Sequence, residues 1–70
     1  MNNIQLYFIT GSSNVQNWIE NELQDIDLNK VYQKSFSSYK EKKAFIDGLF
    51  FSGTDNYELL DEDEYKLLTT

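Results

Sequence analysis

The segment from Ile4 to Thr10 constrains the fold of this chain more than any other part of the sequence. Its residues alternate between two sets, which are Ile4, Leu6 and Phe8 and then Gln5, Tyr7 and Ile9. β-branched and aromatic residues dominate, which predicts a strand whose side chains alternate between the two faces of a sheet. Because both sets contain apolar residues, we expect this strand to be central in its sheet, or covered in part on both faces.

After Gly11 the spacing of apolar residues changes from two to that of a helix. Apolar residues recur at Val15, Trp18, Ile19 and Leu23. This pattern predicts an amphipathic helix that has Asn14 or Ser13 as its N-cap and ends near Gln24. The segment from Gly11 to Asn14 is interpreted as the turn into this helix, because it lacks the second glycine and the lysine of a phosphate-binding loop.

A second helix is predicted after Ser38, whose hydroxyl is placed to cap it. Ser38 and Glu41 have the spacing of a capping box, in which each side chain accepts a bond from the backbone amide of the other residue. The buried stripe of this helix is expected at Ala44, Phe45 and Leu49, widened by Ile46 and Phe50. Gly48 lies in the helix interior, where glycine costs about 1 kcal/mol relative to alanine, so we expect a neighbouring element to approach closely there.

Two further strands and a short last helix complete the pattern. The segment Val31 to Phe36 predicts a second strand, and Lys34 on its aromatic face is typical of the edge of a sheet. The segment Tyr57 to Leu60 predicts a third strand. Asp61 and Glu64 then have the spacing of a capping box at the start of a short helix.

The order of elements is β-α-β-α-β-α, which predicts the α/β class: a small sheet of about three strands, two main helices and a short C-terminal helix. We interpret residues 1–70 as a single domain, because the chain is short for a domain and no linker interrupts it. Strand order 1-2-3 puts both long helices on one face and gives two layers, whereas order 2-1-3 covers both faces. Two layers are preferred for so few residues, although the first strand favours the other order.

The composition excludes much of catalytic chemistry, since the chain has neither cysteine nor histidine. Disulfides, thiolate metal sites and histidine bases are therefore impossible. We predict a non-enzymatic protein without catalytic residues, cofactor or metal site. Stability must come from apolar packing or from self-association, because a chain this short buries little surface. No secretory signal or membrane-spanning run is visible, so a cytoplasmic location is expected.

Charge gives the strongest hint about partners, because its two signs are separated along the chain. Five of the six lysines form what we call the basic window, namely Lys30, Lys34, Lys40, Lys42 and Lys43. Four consecutive carboxylates form the acidic run, namely Asp61, Glu62, Asp63 and Glu64. We expect these two groups to form the interaction surface. The partner is either an unknown protein or a second copy, whose acidic run would meet the basic window in a homodimer.

Asp55 and Glu58 lie close to the acidic run, and oxygen-rich segments of this kind can bind Ca²⁺ or Mg²⁺. The glycine and glutamate spacing of an EF-hand loop is missing after Asp55. We therefore interpret the run as a helix start enriched in carboxylates, where the helix dipole favours negative charge. A docking surface for a basic protein is the alternative.

One local resemblance to a known family lies in the middle of the chain. Residues 31–39, followed by Lys43-Ala44-Phe45-Ile46, resemble the strand-to-helix step of viroplasmin-type domains, and Trp18 fits that pattern too. These N-terminal modules of some ribonucleases H bind RNA–DNA hybrids, so the resemblance implies hybrid binding. It covers less than a third of the chain, which lacks the family's basic, glycine-bearing first hairpin and adds an acidic C-terminal segment.

The expected function is that of a non-catalytic protein–protein interaction or regulatory module. The alternative is a nucleic-acid binder that uses the lysine-rich segment 30–43 on single strands or RNA–DNA hybrids, with lysines on phosphates and aromatic rings on bases. The net charge of −6 and the lack of arginine disfavour this alternative. No membrane partner is expected.

Overall fold

The computed structural model describes residues 3–53 and 56–70. Three strands form one sheet: β1 (Ile4–Thr10), β2 (Val31–Phe36) and β3 (Tyr57–Leu60). The α-helices are α1 (Ser12–Ile19), α2 (Tyr39–Phe51) and α3 (Glu62–Thr69). Two short 3₁₀ helices, Leu23–Asp25 and Leu28–Lys30, connect α1 to β2. The predicted α/β class and the order of its elements are confirmed.

The strand order is β2-β1-β3, and β1 runs antiparallel to both neighbours. Tyr7 of β1 lies opposite Gln33 of β2 and Leu60 of β3. β1 is therefore the central strand, as its two apolar faces predict. β2 is an edge strand, which confirms the expectation drawn from Lys34.

The two faces of β1 bury separate apolar clusters. One face carries Leu6 and Phe8 with Phe36, and Phe45, Ile46 and Leu49 of α2 pack on it. On the other face, Tyr7, Ile9 and Leu60 form a cluster with Ile26 and with Leu68 of α3, and Trp18, Leu23, Val31 and Tyr65 pack around it. Helices thus lie on both sides of the sheet, which corrects the preference for two layers. The physical reason is that both sets of apolar side chains on β1 need cover from water.

The first helix differs from its prediction at both ends. It begins at Ser12 with Gly11 as N-cap, where a φ of 94° favours glycine, and no side chain caps it. It ends at Ile19, because Asn21 adopts a left-handed φ of 59° that stops the helix well before Gln24. Ile19, expected in the buried stripe, is exposed as a result.

Asn14 has a different role from the predicted cap. Its side chain is only 4% exposed, and both ends of its amide bond the backbone of Asp27. Asn14 Nδ2 donates to the Asp27 carbonyl at 3.0 Å, and the Asp27 amide donates to Asn14 Oδ1 at 2.9 Å. This pair of bonds holds the segment after the first 3₁₀ helix against α1.

α2 rests on the sheet through Phe45, Ile46 and Leu49, whereas Ala44 and Phe50 of the predicted stripe are exposed. The Ser38 hydroxyl accepts from the Glu41 amide at 3.2 Å, which confirms the cap. The Glu41 carboxylate instead accepts from the Ser37 hydroxyl at 2.9 Å. Gly48 meets no described neighbour, since a Cβ added there would have no heavy atom within 4 Å. The expected close approach at Gly48 is therefore wrong for the isolated chain.

α3 begins with the predicted capping box. The Glu64 amide donates to Asp61 Oδ1 at 2.7 Å, and the Asp61 amide donates to Glu64 Oε1 at 2.9 Å. Tyr65 packs against the sheet and Leu68 is buried, so one side of this short helix is held by tertiary contacts.

The Asn14 amide gives a test of the fold. We expect Asn14→Ala to lower the free energy of unfolding by about 1–3 kcal/mol, because it removes both bonds to the Asp27 backbone from a buried position. Asn17→Ala is the matched control, since Asn17 donates one exposed bond to the Asp25 carbonyl at 3.2 Å. Urea unfolding followed by circular dichroism measures both variants. Equal losses in the two would contradict this role of Asn14.

Candidate functional site

The sheet separates most of the basic window from the acidic run. We call α2 and the sheet residues beneath it the α2 layer. It carries four lysines and two carboxylates, which are Lys34, Lys40, Lys42, Lys43, Glu41 and Asp47. Lys34 belongs to this layer because it lies beside Leu6 in the sheet register, on the face that α2 covers.

The opposite side of the sheet is strongly acidic. We call α1, α3 and the segment joining α1 to β2 the α1–α3 layer. It contains two lysines, Lys30 and Lys66, and nine carboxylates, which are Glu20, Glu22, Asp25, Asp27, Glu58, Asp61, Glu62, Asp63 and Glu64. Glu58 lies opposite Ile9 in the register, which places it on this face. Asp55, predicted near the acidic run, lies outside the described residues.

Salt bridges neutralise little of this charge. Lys43 Nζ lies 3.3 Å from Asp47 Oδ2, and Lys66 Nζ lies 3.9 Å from Glu62 Oε1. Both pairs are exposed, so each contributes little to stability. Within residues 3–53 and 56–70 these are the only salt bridges, so the other lysines of the basic window have no carboxylate partner among them.

Lys34 is held in place by aromatic rings. Its Nζ lies 5.7 Å from the centroid of the Phe36 ring and 5.5 Å from that of Phe45. Each such contact contributes about 0.5–1 kcal/mol at an exposed site. The ammonium group of Lys34 is thereby kept close to α2 on the outer edge of the sheet.

Lys30 is the one member of the basic window that the fold places elsewhere. It ends the second 3₁₀ helix beside Gly11, where a Cβ added to the glycine would lie 3.8 Å from Lys30 Nζ. It lines a depression at the start of α1 together with Ser12, Ser13, Asn14, Asp25 and Asp27. Two carboxylates line this depression and the Asn14 amide is already bonded to Asp27, so it does not resemble an anion site.

Exposed aromatic side chains accompany the lysines of the α2 layer. Tyr39 is 75% exposed, Phe50 is 60% exposed and Phe51 is 87% exposed. Tyr32 is partly exposed beside Phe8, with ring centroids 5.3 Å apart. Sequence reasoning missed Phe51 and assigned Phe50 to the core. Helical spacing indicates that at least one of these two rings is exposed. Phe50 and Phe51 are adjacent, so their side chains point about 100° apart around the helix and cannot both point directly at the sheet.

The described residues contain no group of three His, Cys, Asp or Glu side chains placed to hold a metal ion. None of their helices has both the length and the apolar character that crossing a membrane requires. Comparisons with protein-family models, curated proteins and solved structures found no match. The resemblance of residues 31–39 and 43–46 to viroplasmin-type domains therefore remains a local likeness of sequence.

The acidic run contacts the core at Tyr7. This side chain is buried, and its ring stacks on that of Tyr65 with centroids 4.6 Å apart. Burial raises the pKa of the Tyr7 hydroxyl above its ordinary value of 10.0, and the negative charge of Glu62 and the neighbouring Tyr65 raise it further. The acidic run thus favours the neutral form of a core tyrosine.

Tyr7 predicts a pH dependence at the alkaline end. As pH rises from about 9 to about 11, the unfolded state loses the Tyr7 proton first, because its pKa is the lower one. Ionisation then favours the unfolded state, so we expect the wild type to lose more stability than Tyr7→Phe over this interval. Tyr39→Phe, at an exposed position, is the control and should follow the wild type. Identical pH profiles of the wild type and Tyr7→Phe in urea unfolding would contradict the prediction.

Proposed function

We propose that this chain is a non-catalytic interaction module whose α2 layer binds an acidic segment of another protein. The observation that carries the proposal is the group of lysines without a described carboxylate partner on the same layer as the exposed aromatic residues. Lysine ammonium groups attract a carboxylate-rich segment, and exposed rings supply apolar contact area.

The charge distribution also supports a specific orientation of binding. The chain as a whole carries −6, whereas the α2 layer has more lysines than carboxylates. An acidic partner is therefore repelled by the α1–α3 layer and attracted to the α2 layer. Complementarity of this kind affects the association rate and specificity more than it affects raw affinity.

A non-catalytic role is supported by composition. Without cysteine or histidine, a nucleophile would have to be activated by lysine or a carboxylate. The closely spaced carboxylates Glu20, Glu22, Asp25 and Asp27 lie just after α1, where they are exposed and water solvates them. A binding role needs only the exposed charges and rings described above.

Nucleic-acid binding is the second candidate, and one observation favours it. Tyr32 and Tyr39 are exposed on the same layer as Lys34 and Lys40, which provides rings for base stacking beside charges for phosphates. Against it, the chain has no arginine for bidentate phosphate or guanine contacts, and its net charge repels a polyanion at long range.

Titration of the ¹⁵N-labelled chain at about 50 mM salt distinguishes the candidates. The probes are a glutamate-rich peptide containing aromatic residues, a lysine-rich peptide of equal length, and single-stranded, duplex and hybrid oligonucleotides. We expect the acidic peptide to shift amides of the α2 layer, with an affinity that falls as salt rises. The double variant Lys34→Gln/Lys42→Gln should weaken this binding severalfold, whereas Lys66→Gln on α3 should not.

Two outcomes would overturn the first candidate. If the acidic peptide shifts no amide of the α2 layer, the layer is not a contact surface for acidic proteins. If an oligonucleotide shifts the α2 layer while the acidic peptide does not, the nucleic-acid candidate replaces it.

A further inference from the structure

We propose that a second copy of the chain packs against the outward side of α2, with the two α2 helices antiparallel about a two-fold axis. The sheet-facing lysines Lys34 and Lys42 lie outside this contact. The dimer does not depend on the proposed acidic partner, although both contacts would use the exposed rings at the end of α2.

The outward side of α2 is defined by helical spacing. Lys40, Ala44, Asp47 and Phe51 recur at intervals of four, three and four, which places them on one side of the helix. All four are exposed, whereas Phe45, Ile46 and Leu49 on the other side pack on the sheet. Phe50 and Phe51 are 60% and 87% exposed at the C-terminal end of α2, so they leave a large apolar area open to contact.

Small residues in the middle of α2 allow close approach of another helix. Ala44 and Gly48 are both exposed, and nothing described lies within 4 Å of a Cβ added at Gly48. A glycine in a helix interior costs about 1 kcal/mol, and no contact with residues 3–53 or 56–70 explains it. A second helix crossing here would use the space that Gly48 leaves.

The two halves of the outward side complement each other. The N-terminal half carries Lys40, with Lys43 beside it, and the C-terminal half carries Asp47 and Phe51, with Phe50 beside them. Antiparallel packing places Lys40 of one copy beside Phe51 of the other, which is a favourable cation–π pairing. A two-fold axis makes this contact twice, because each copy contributes the same surface.

Charge disfavours one of the two other face-to-face arrangements, and symmetry disfavours the second. Contact between two α1–α3 layers brings nine carboxylates of each copy together. Contact between the basic window of one copy and the acidic run of another joins opposite sides of the sheet, which is a heterologous arrangement. Such contacts extend into open chains unless the rotation closes a ring. The outward side of α2 is close to neutral, because Asp47 and the adjacent Glu41 offset Lys40 and Lys43, and antiparallel packing makes this side self-complementary.

Analytical ultracentrifugation tests the proposal on the whole chain in the absence of any partner. We expect the weight-average mass to rise from 8.3 kDa towards twice that value as concentration increases. Phe51→Lys places a lysine beside Lys40 of the other copy, so it should weaken association at least tenfold. Leu67→Lys, at a residue 61% exposed on α3, is the matched control and should leave association unchanged.

A charge swap tests the antiparallel arrangement itself. The double variant Lys40→Asp/Phe51→Lys pairs an aspartate of each copy with a lysine of the other, so association lost in Phe51→Lys should return. Circular dichroism confirms that each variant is folded, which is expected because both positions are exposed.

A wild type that stays monomeric at millimolar concentration overturns the dimer, as does association that Phe51→Lys leaves intact. Failure of the charge swap to restore association overturns the antiparallel register. The ultracentrifugation is carried out without peptide, and the titration can be run below the concentration at which the chain associates, so the two proposals fail separately.

Discussion

Burial of both faces of β1 is the interaction on which the rest of the structure depends. A central strand with apolar side chains on each face cannot be covered by helices on one side alone, because the uncovered set would remain in water. Phe8 and Leu6 therefore meet α2, while Tyr7 and Ile9 meet α3 and the segment after α1. In a chain of 70 residues this leaves two thin clusters instead of one thick core. Each cluster is closed by partly buried aromatic rings, which bury much area per residue.

The same division determines how charge is arranged. The α2 layer carries four of the six lysines, and the α1–α3 layer carries nine of the carboxylates. The sheet keeps the two groups apart, so among the described residues only two salt bridges form. A molecule of this kind presents one face to acidic groups and repels them with the other. The α2 layer is the proposed contact surface because α2 lies on the side of the sheet opposite most of the carboxylates.

Much of the fold was predictable because its signals are local. Alternation predicted β1 and its central place, Lys34 predicted an edge strand, and the spacing of Asp61 and Glu64 predicted the cap of α3. Long-range effects account for the errors. The N-cap residue predicted at Asn14 is used instead as a buried bridge to Asp27, thirteen residues away. The apolar pattern of α1 continued past Ile19 to Leu23. The left-handed φ of Asn21 ended the helix earlier, and Ile19 is exposed as a result.

The candidate site was predictable in part. The sequence identified the lysines and the acidic run, but only the strand register shows that Lys30 lies away from the others and that the sheet separates the two signs of charge. The most direct test of this separation compares the paramagnetic relaxation of backbone amides by two small soluble probes, one anionic and one cationic. The anionic probe should broaden amides of the α2 layer more strongly, and the cationic probe those of α3. Equal broadening of both layers by the two probes would contradict the separation of charge.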